Sequence, residues 1–448
     1  MLSVEANERL TRVGPGTPMG NMMRRYWMPV RPTAELLSKN VIKVRLLGED
    51  LVLFRTKKGE MGLIGDRCAH RFAGLEYGIP DDDGIRCPYH GWLYGLDGQC
   101  LDTPLEPAES TFKERIKLTG YPVKELGGLV WTYMGPDPMP VLPEWPPLVW
   151  PNSVRQIGFT TLPCNWLQCQ ENTGDPTHSV YLHGHLFKYT LEREGLHEER
   201  AYDTETHRAY ASMRQEAGIE SVWAYPNNYG FEKGVRYSKA LGAKADYSRR
   251  HSTVVFPFIT GGDITNGMFN QTQFRVPIDD THTYHIWYEC IAAPPGVEAP
   301  PQPIIPYYEY PVFDRNGDPI LDYVLAQDMV AWWSQGPITE RNKEKLGRTD
   351  IPVILLRRQL EQQLRIMEDG GTPMNLAYTE EDMRKMVSQT LFRTDEEVIN
   401  KMGEGVNGSY REQYQKGYWR DDPGRYGPAS EMAQQVQARA EEAYKPTA

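Results

Sequence analysis

The stretch that decides the fold is CAHRFAGLEYGIPDDDGIRCPYHGW, residues 68–92. It contains two short halves with one cysteine and one histidine each, Cys68 with His70 and Cys87 with His90. A zinc finger groups its two cysteines in one turn and its two histidines in another, so the split arrangement favours two metals held side by side. Two thiolates would bind one iron of a cluster and two imidazoles the other, which raises the reduction potential. A structural zinc site is the alternative interpretation.

Composition narrows the class of protein. The chain has 448 residues, with 49 Lys and Arg against 60 Asp and Glu, which gives a formal net charge of −11. This acidic balance argues against nucleic acid as a partner, and no apolar run reaches the roughly 18 residues of a membrane-spanning helix. The first residues are charged and lack the apolar core of a secretory signal. Together these features predict a cytoplasmic protein of two to three folded domains.

A second group of candidate metal ligands lies in NWLQCQENTGDPTHSVYLHG, residues 165–184. Asn172, Asp175 and His178 are spaced three apart, so on a helix they would share a face, and Asp175 could hydrogen-bond His178. His178 and His183 are five apart, about 140° around a regular helix, so both can face one ion only where the backbone is irregular. Two histidines and one carboxylate would form the facial triad that binds iron(II). Two ordinary histidines are the alternative, and His185 is a rival ligand.

Several motifs resemble one protein family. The CxH half followed by CPYHGW resembles the Rieske two-iron, two-sulfide motif, and NxxDxxHxxxxH downstream is similar to the catalytic iron site of Rieske non-haem iron oxygenases. Four further segments resemble the phthalate-dioxygenase-like branch of this family. They are GPGTPMG (14–20), RRYWMPV (24–30), VPIDDTHT (276–283) and QDM…QGPI…R…E.LG from Gln327 onward. The resemblance covers roughly residues 9–365.

The resemblance implies specific metal ligands. A [2Fe-2S] cluster would be bound by the four residues of the first stretch, Cys68, His70, Cys87 and His90. A mononuclear Fe(II) would be bound by His178, His183 and Asp328, with Asp322, six residues earlier, as a competing carboxylate. Asp175, close to Asn172, matches the aspartate that bridges the two metal centres of neighbouring subunits in this family.

The resemblance also implies an activity. The chain would be a terminal oxygenase that uses dioxygen and electrons from a separate reductase, with flavin and ferredoxin-type iron–sulfur groups, so that NAD(P)H is used indirectly. The expected reaction is hydroxylation, in the form of cis-dihydroxylation, of an aromatic carboxylate of the phthalate or benzoate type. A monooxygenase that demethylates an aryl ether acid shares every ligand. An electron-transfer Rieske protein without catalytic iron is the alternative from another class.

The fold implied is α+β: a small all-β Rieske domain joined to a larger catalytic domain with an antiparallel sheet flanked by helices, in a helix-grip-like arrangement. A proline-dense stretch, Pro136 to Pro151, marks the boundary. We expect a homotrimer or stacked trimers. The predicted divisions are an N-terminal segment that packs on both domains (1–40), the Rieske domain (41–140), the catalytic domain (141–378) and a C-terminal tail that contacts the oligomer (379–448).

An anionic substrate entering a net-acidic protein needs a local cation, and arginine can bind a carboxylate through two hydrogen bonds. The candidates lie between the histidines and the aspartate, where the pocket-forming sheet is expected. They are Arg214, Arg236, Arg249 and Arg250.

Overall fold

The computed structural model describes residues 2–195, 218–238, 252–263, 269–293, 296–309, 312–314 and 316–389. The described helices are α1 (Val4–Thr11), α2 (Pro18–Met23), α3 (Glu35–Ser38), α4 (Pro146–Val149), α5 (Trp166–Gly174), α6 (Phe187–Arg193), α7 (Val324–Trp333), α8 (Ile351–Glu368) and α9 (Glu380–Ser388). The described strands are β1 (Met28–Pro32), β2 (Val41–Leu46), β3 (Glu49–Arg55), β4 (Met61–Gly65), β5 (Ile79–Pro80), β6 (Ile85–Arg86), β7 (Leu93–Tyr94), β8 (Cys100–Asp102), β9 (Gly120–Tyr121), β10 (Val123–Leu126), β11 (Leu129–Thr132), β12 (Ser153–Leu162), β13 (Ile219–Asn227), β14 (Gly230–Tyr237), β15 (Ser252–Val255), β16 (Ile259–Asp263), β17 (Phe269–Pro277), β18 (Thr283–Ala292) and β19 (Tyr307–Glu309).

The first domain is built from three small antiparallel sheets. Their strand orders are β1-β11-β10, β2-β3-β4-β9 and β5-β6-β7-β8. The β2 sequence VIKVRL shows why: Ile42, Val44 and Leu46 are buried while Lys43 and Arg45 between them are exposed. Alternation of this kind is typical of a strand with one buried face. Residues 68–92 lie between β4 and β7. They include β5 and β6 of the third sheet and the loops on either side of these two strands.

The second domain is built on an eight-stranded sheet of order β13-β14-β15-β16-β17-β18-β12-β19. Neighbouring strands pair antiparallel except β12 and β19, which are parallel. All ten residues of β18 are buried, since one face of the sheet packs in the main apolar core and helices α5 and α7 cover the other. The small all-β domain and the larger antiparallel sheet with helices confirm the α+β prediction.

The N-terminal segment contacts both domains. Arg9 on α1 pairs with Glu361 and Glu368 on α8, and β1 adds to β11 of the first domain. The Trp27 indole N–H donates to the carbonyl of Pro140 at 2.8 Å. The division of the chain into four parts, with residues 1–40 as the first, stays a prediction. Most of the 379–448 tail, from residue 390 onward, lies outside the described residues.

Across the described ranges, no helix has both the length and the apolar character needed to cross a membrane.

Candidate active site

Three side chains that could bind one metal ion meet where α7 faces the segment between α5 and α6. The ligand atoms of His178, His183 and Asp328 all lie within 4.8 Å of one another. Asp328 Oδ1 is 3.5 Å from His178 Nε2 and 3.3 Å from His183 Nε2. Burial raises the pKa of Asp328, but the positive charge that His183, His178 and Arg275 carry when protonated outweighs this effect and lowers the pKa to about 2, so the carboxylate is ionised. Burial lowers the pKa of His178, which favours the neutral ring.

The Nδ1 atom of each histidine, the ring nitrogen that faces away from Asp328, already has a hydrogen-bond partner. His178 Nδ1 is 2.9 Å from the main-chain oxygen of Asp175, and His183 Nδ1 is 3.0 Å from Gln327 Oε1. The Gln327 amide nitrogen donates elsewhere, to a main-chain carbonyl at 2.9 Å, which leaves its oxygen facing the ring. Because these oxygens only accept, each Nδ1 carries the proton and each Nε2 presents a lone pair. Two lone pairs and a carboxylate oxygen therefore face one another, and this donor set fits iron(II).

Backbone irregularity brings the two histidines to one point. Helix α5 ends at Gly174 because Pro176 lacks an N–H and disfavours helical backbone in the residue before it. A 3₁₀ turn over His178–Val180 follows, and then a π-helix over Tyr181–Leu186. The wider π turn compensates for the five-residue spacing. The irregularity predicted from that spacing is confirmed.

Asn172 and Asp175 lie beside the three ligands but contact them differently from the prediction. Asn172 Nδ2 donates to Asp328 Oδ1 at 3.3 Å. The Asp175 carboxylate accepts from the N–H and the hydroxyl of Thr177, both at 2.7 Å, while its Oδ2 is 3.9 Å from His178 Nδ1. The main-chain carbonyl of Asp175 makes the hydrogen bond predicted for its side chain, because the helix ends before Asp175 and the shared helical face does not exist.

The two rival ligands lie apart from this cluster. His185 is exposed and stacks on Tyr181, with ring centroids 4.7 Å apart. Asp322 precedes α7 and does not belong to the group of three that the described residues form.

The first pair of motifs forms a second candidate centre, with its cysteines inside and its histidines outside. Cys68 and Cys87 are buried at 1% and 2% exposure, while His70 is exposed and His90 half-buried. The two imidazole centroids are 4.5 Å apart, and His70 stacks on Trp92 at 4.6 Å. Burial raises the pKa of the Cys87 thiol, and the adjacent Cys68 thiol raises it further. A pair of sulfurs below a pair of surface imidazoles fits a two-iron cluster with one iron per pair.

Tyr94 is hydrogen-bonded to this centre. Its hydroxyl oxygen lies 3.0 Å from the Ala69 N–H, which donates to it, and 3.2 Å from Cys68 Sγ. Burial raises the pKa of Tyr94, so the hydroxyl keeps its proton at neutral pH. With its oxygen occupied by Ala69, the hydroxyl donates its proton toward the sulfur.

Replacing Tyr94 with phenylalanine should lower the midpoint potential of the cluster. A hydrogen bond to sulfur stabilises the more negative, reduced cluster, and a net value of about 1 kcal/mol corresponds to about 40 mV for one electron. A redox titration followed by visible absorbance measures the shift. Tyr133→Phe, which removes a hydroxyl bonded to the carbonyl of Pro136, is the control and should leave the potential unchanged. Equal potentials for Tyr94→Phe and the parent would contradict the prediction.

Of the four predicted substrate arginines, the structure describes only one. Arg236 lies on β14 with its side chain exposed, and Arg214, Arg249 and Arg250 lie outside the described residues. Sequence reasoning missed Arg275 on β17, which is only 2% exposed. Its guanidinium carbon lies 5.3 Å from the ring centroid of Trp332, one helical turn after Asp328 on α7. The alternation in QTQFR on β17 and in HIWYE on β18 marks one face of these strands as polar, but it does not show that this face is buried.

Comparison with known proteins identifies the family. A family model described as "Rieske [2Fe-2S] domain" matches residues 26–122. The chain is 36% identical over 381 residues to the 5,5'-dehydrodivanillate O-demethylase oxygenase subunit of Sphingobium sp., with 83% of each chain covered. The chain belongs to the Rieske non-haem iron oxygenase family. Another relative is the phthalate 4,5-dioxygenase oxygenase subunit of Pseudomonas putida, at 32% identity with 83% of this chain and 88% of that one covered.

A solved structure shows the same fold. The terminal oxygenase of carbazole 1,9a-dioxygenase from Novosphingobium sp. KA1 aligns with a TM-score of 0.55 at 21% identity, covering 81% of this chain and 99% of that chain. As a Rieske oxygenase, this chain is an oxidoreductase with a Rieske [2Fe-2S] cluster and a mononuclear iron, and its electrons come from a separate redox partner. The family and the cofactors predicted from the sequence are confirmed.

Proposed function

We propose that this chain is the terminal oxygenase component of a multicomponent enzyme that hydroxylates an aromatic carboxylate, with cis-dihydroxylation as the reaction. The observation that carries the proposal is the convergence of His178, His183 and Asp328 on one point, in a chain with the Rieske motif. These three residues bind the mononuclear iron. The cluster ligands are Cys68, His70, Cys87 and His90. The relative named as a phthalate 4,5-dioxygenase subunit supports an aromatic acid as substrate.

The side chains around the iron site prepare it for ligand binding and exclude water. The iron, when bound, supplies the activation of dioxygen. Gln327 and the Asp175 carbonyl hold the protons of both histidines on Nδ1, so Nε2 is free for the metal at neutral pH. The three ligand side chains are only 11–24% exposed. Iron(II) held by these three protein ligands would keep coordination positions available for dioxygen.

Electrons reach this site from the Rieske cluster of a neighbouring subunit in a homotrimer. Asp175 is the proposed link, since its side chain is 30% exposed and its residue also orients His178. An ionised carboxylate at this position can accept a hydrogen bond from the partner subunit's His90 across the interface.

Asp175→Asn should slow electron transfer while both metal centres stay loaded. An outer-sphere partner of a metal ligand is typically worth about 10–100-fold in activity, so we expect turnover to fall by that factor. Reoxidation of the pre-reduced cluster by dioxygen in a single turnover measures the step directly. Asp83→Asn, an exposed carboxylate of the first domain, is the control. Unchanged reoxidation and turnover in Asp175→Asn would rule out the link.

Demethylation of an aryl ether acid is the second candidate reaction. The relative at 36% identity, named as an O-demethylase oxygenase subunit, supports it. Hydroxylation of the methoxy carbon gives a hemiacetal that breaks down to a phenol and formaldehyde, with one oxygen atom entering the product and the other reduced to water. Dihydroxylation instead places both oxygen atoms on the ring. The two reactions therefore differ in their products.

Metal content and products together test the proposal. Protein purified without oxygen should contain about three irons and two sulfides per chain. Reduced enzyme is then given dioxygen with benzoate or 4-methoxybenzoate, and cis-diol and formaldehyde are measured. About two irons and two sulfides, unchanged after iron(II) is added, would leave an electron-transfer protein and refute an oxygenase.

A further inference from the structure

The face of the sheet that lies under helices α5 and α7 carries buried polar side chains. Gln273 and Arg275 alternate on β17, and His285 and Trp287 alternate on β18, with Arg275 directly opposite His285 in the strand pairing. Arg275 is 2% exposed and His285 is fully buried. Such side chains are normally found facing solvent unless they have a specific partner.

Arg275 has unused hydrogen-bond donors next to the iron site. Its guanidinium carbon lies 5.3 Å from the ring centroid of Trp332, which is one helical turn after Asp328 on α7. Nη2 donates to Gln273 Oε1 at 2.7 Å, but Nε and Nη1 have no hydrogen-bond partner among the described residues. Burial lowers the pKa of Arg275 to about 10, so the group is still charged at neutral pH. A buried cation with two nitrogen donors that lack an acceptor is costly without an anionic ligand.

His285 supplies the complementary acceptor. A guanidinium only donates, so the Gln273 atom that faces Arg275 is the oxygen. The same oxygen lies 3.1 Å from His285 Nε2, which must therefore carry the ring proton. Burial lowers the pKa of His285 well below its usual value, and the charge of Arg275 lowers it further. The ring is neutral, and its Nδ1 is an acceptor with no partner in the described part of the chain.

Two nearby carboxylates do not satisfy Arg275. Glu289, on the same face of β18, accepts from Gln271 Nε2 at 3.1 Å and from Trp287 Nε1 at 2.7 Å, and it also accepts from the Gln156 amide. Asp328 faces the two histidines of the triad. A divalent ion there more than cancels the charge of Asp328, so Arg275 needs a further anion.

We propose that Arg275 and His285 bind the polar end of the substrate, the guanidinium receiving a carboxylate and His285 Nδ1 accepting a hydroxyl O–H. The ligand class is an aromatic acid that also carries a hydroxyl group. The inference deepens the proposed function and rests on it, because the triad defines where the substrate is oxidised. Gln273 fixes the two recognition groups relative to each other through one shared oxygen atom.

Equilibrium binding without turnover tests the assignment. Oxidised holoenzyme is titrated calorimetrically, without reductant, with benzoate, its 2-, 3- and 4-hydroxy derivatives, and benzamide. We expect the acids to bind, benzamide to bind far more weakly, and a hydroxy acid to bind more tightly than benzoate. Arg275→Gln should weaken binding of every acid by about 10–100-fold, the loss expected for hydrogen bonds to a charged group. Arg275→Lys should give a smaller loss, since lysine keeps the charge but not the two-pronged geometry.

His285→Phe separates the two recognition groups. It should abolish the advantage of the hydroxy acid while leaving benzoate affinity within about twofold, because Arg275 keeps its own hydrogen bond to Gln273. Arg358→Gln, at an exposed position of α8, is the matched control and should bind all probes like the parent. Iron per chain and the thermal midpoint are recorded for every variant, so that a folding or metal defect is recognised.

Several outcomes would overturn the assignment. These are unchanged acid affinity in Arg275→Gln, equal binding of benzamide and benzoate, no binding of any acid to the parent, or a loss of iron in Arg275→Gln with acid affinity intact. The last result would make Arg275 only an electrostatic support for Asp328. Acid binding that depends on Arg275 without any oxidation product would instead refute the proposed function alone. Oxidation of aromatic acids with full affinity in Arg275→Gln would refute this inference alone.

Discussion

Asp328→Ala should release one iron per chain and abolish oxygenation while the Rieske cluster stays intact. Removing one of three protein ligands destroys the facial arrangement, and the two histidines left are a poor site for iron(II). Iron should fall from about three to about two per chain with sulfide unchanged at about two. Turnover should fall by more than the roughly 10–100-fold typical of losing an outer-sphere partner. Iron and acid-labile sulfide analysis, with the visible spectrum of the cluster, measures both parts.

The neighbouring acid provides the control for this experiment. Asp322→Ala should retain all the iron, since Asp322 does not join the three converging ligands in the structure. Iron loss in Asp322→Ala together with full iron in Asp328→Ala would reverse the assignment. Both variants keep the Tyr94 hydrogen bond to the cluster, so their Rieske spectra should match.

Glu171→Gln should destabilise the second domain more than any surface substitution. Glu171 lies on α5, one residue before Asn172, and it accepts two hydrogen bonds from Arg341, at 2.8 and 2.7 Å, and one from Arg357 at 2.5 Å. Arg357 also pairs with Glu344 through two bonds. Burial raises the pKa of Glu171, but the two guanidinium groups outweigh it and lower the pKa, so the group is ionised.

The expected cost follows from the charge that is left behind. Arg341 has no exposed side-chain area, and Glu171 is its ion-pair partner among the described residues, so neutralising the carboxylate leaves a buried cation uncompensated. Losing one member of such a pair costs about 3–5 kcal/mol. The thermal midpoint at a fixed scan rate measures the loss, and iron content reports whether α5 still holds the triad in place.

A surface ion pair calibrates this result. Glu361→Gln removes the carboxylate that pairs with Arg9 and Arg365 on the outside of α8, where Glu361 is 30% exposed. Exposed pairs contribute about 0–1 kcal/mol, so the midpoint should barely move. Similar midpoints for Glu171→Gln and Glu361→Gln would show that the buried network contributes little to stability.

Most residues of the two candidate metal centres could be proposed from the sequence because they are close together in the chain. The cluster ligands fall within 68–92, and the spacing of His178 and His183 indicated an irregular helix before the π turn was seen. The third ligand is different: Asp328 meets the histidines only through the tertiary fold, so its assignment depended on resemblance. The same limit explains Asp175, because spacing could not show that a main-chain carbonyl rather than the carboxylate would bind His178.

Arg275 could not be predicted for a physical reason. A strand that alternates polar and apolar residues, as QTQFRVP does, usually has one face in water, and the polar side chains of β17 would be assigned to that face. In the structure α5 and α7 cover this face, and their position depends on pairings far away in the chain. Arg214, Arg236, Arg249 and Arg250 were the candidates instead, because no local pattern marks Arg275 as buried.

Because of the π-helix over Tyr181–Leu186, the iron site depends more on the number of residues in this segment than on which residues they are. A regular α-helix would separate residues five apart by about 140°. Removing one residue between His178 and His183 would allow an ordinary α turn to replace the π turn, and the α turn has the better hydrogen bonds. We expect substitutions of exposed side chains in this segment, such as Tyr181, to have little effect on the iron site. We expect an insertion or a deletion in this segment to change iron binding more than a substitution at an exposed position does, since the position of His183 relative to His178 depends on the number of residues in the turn.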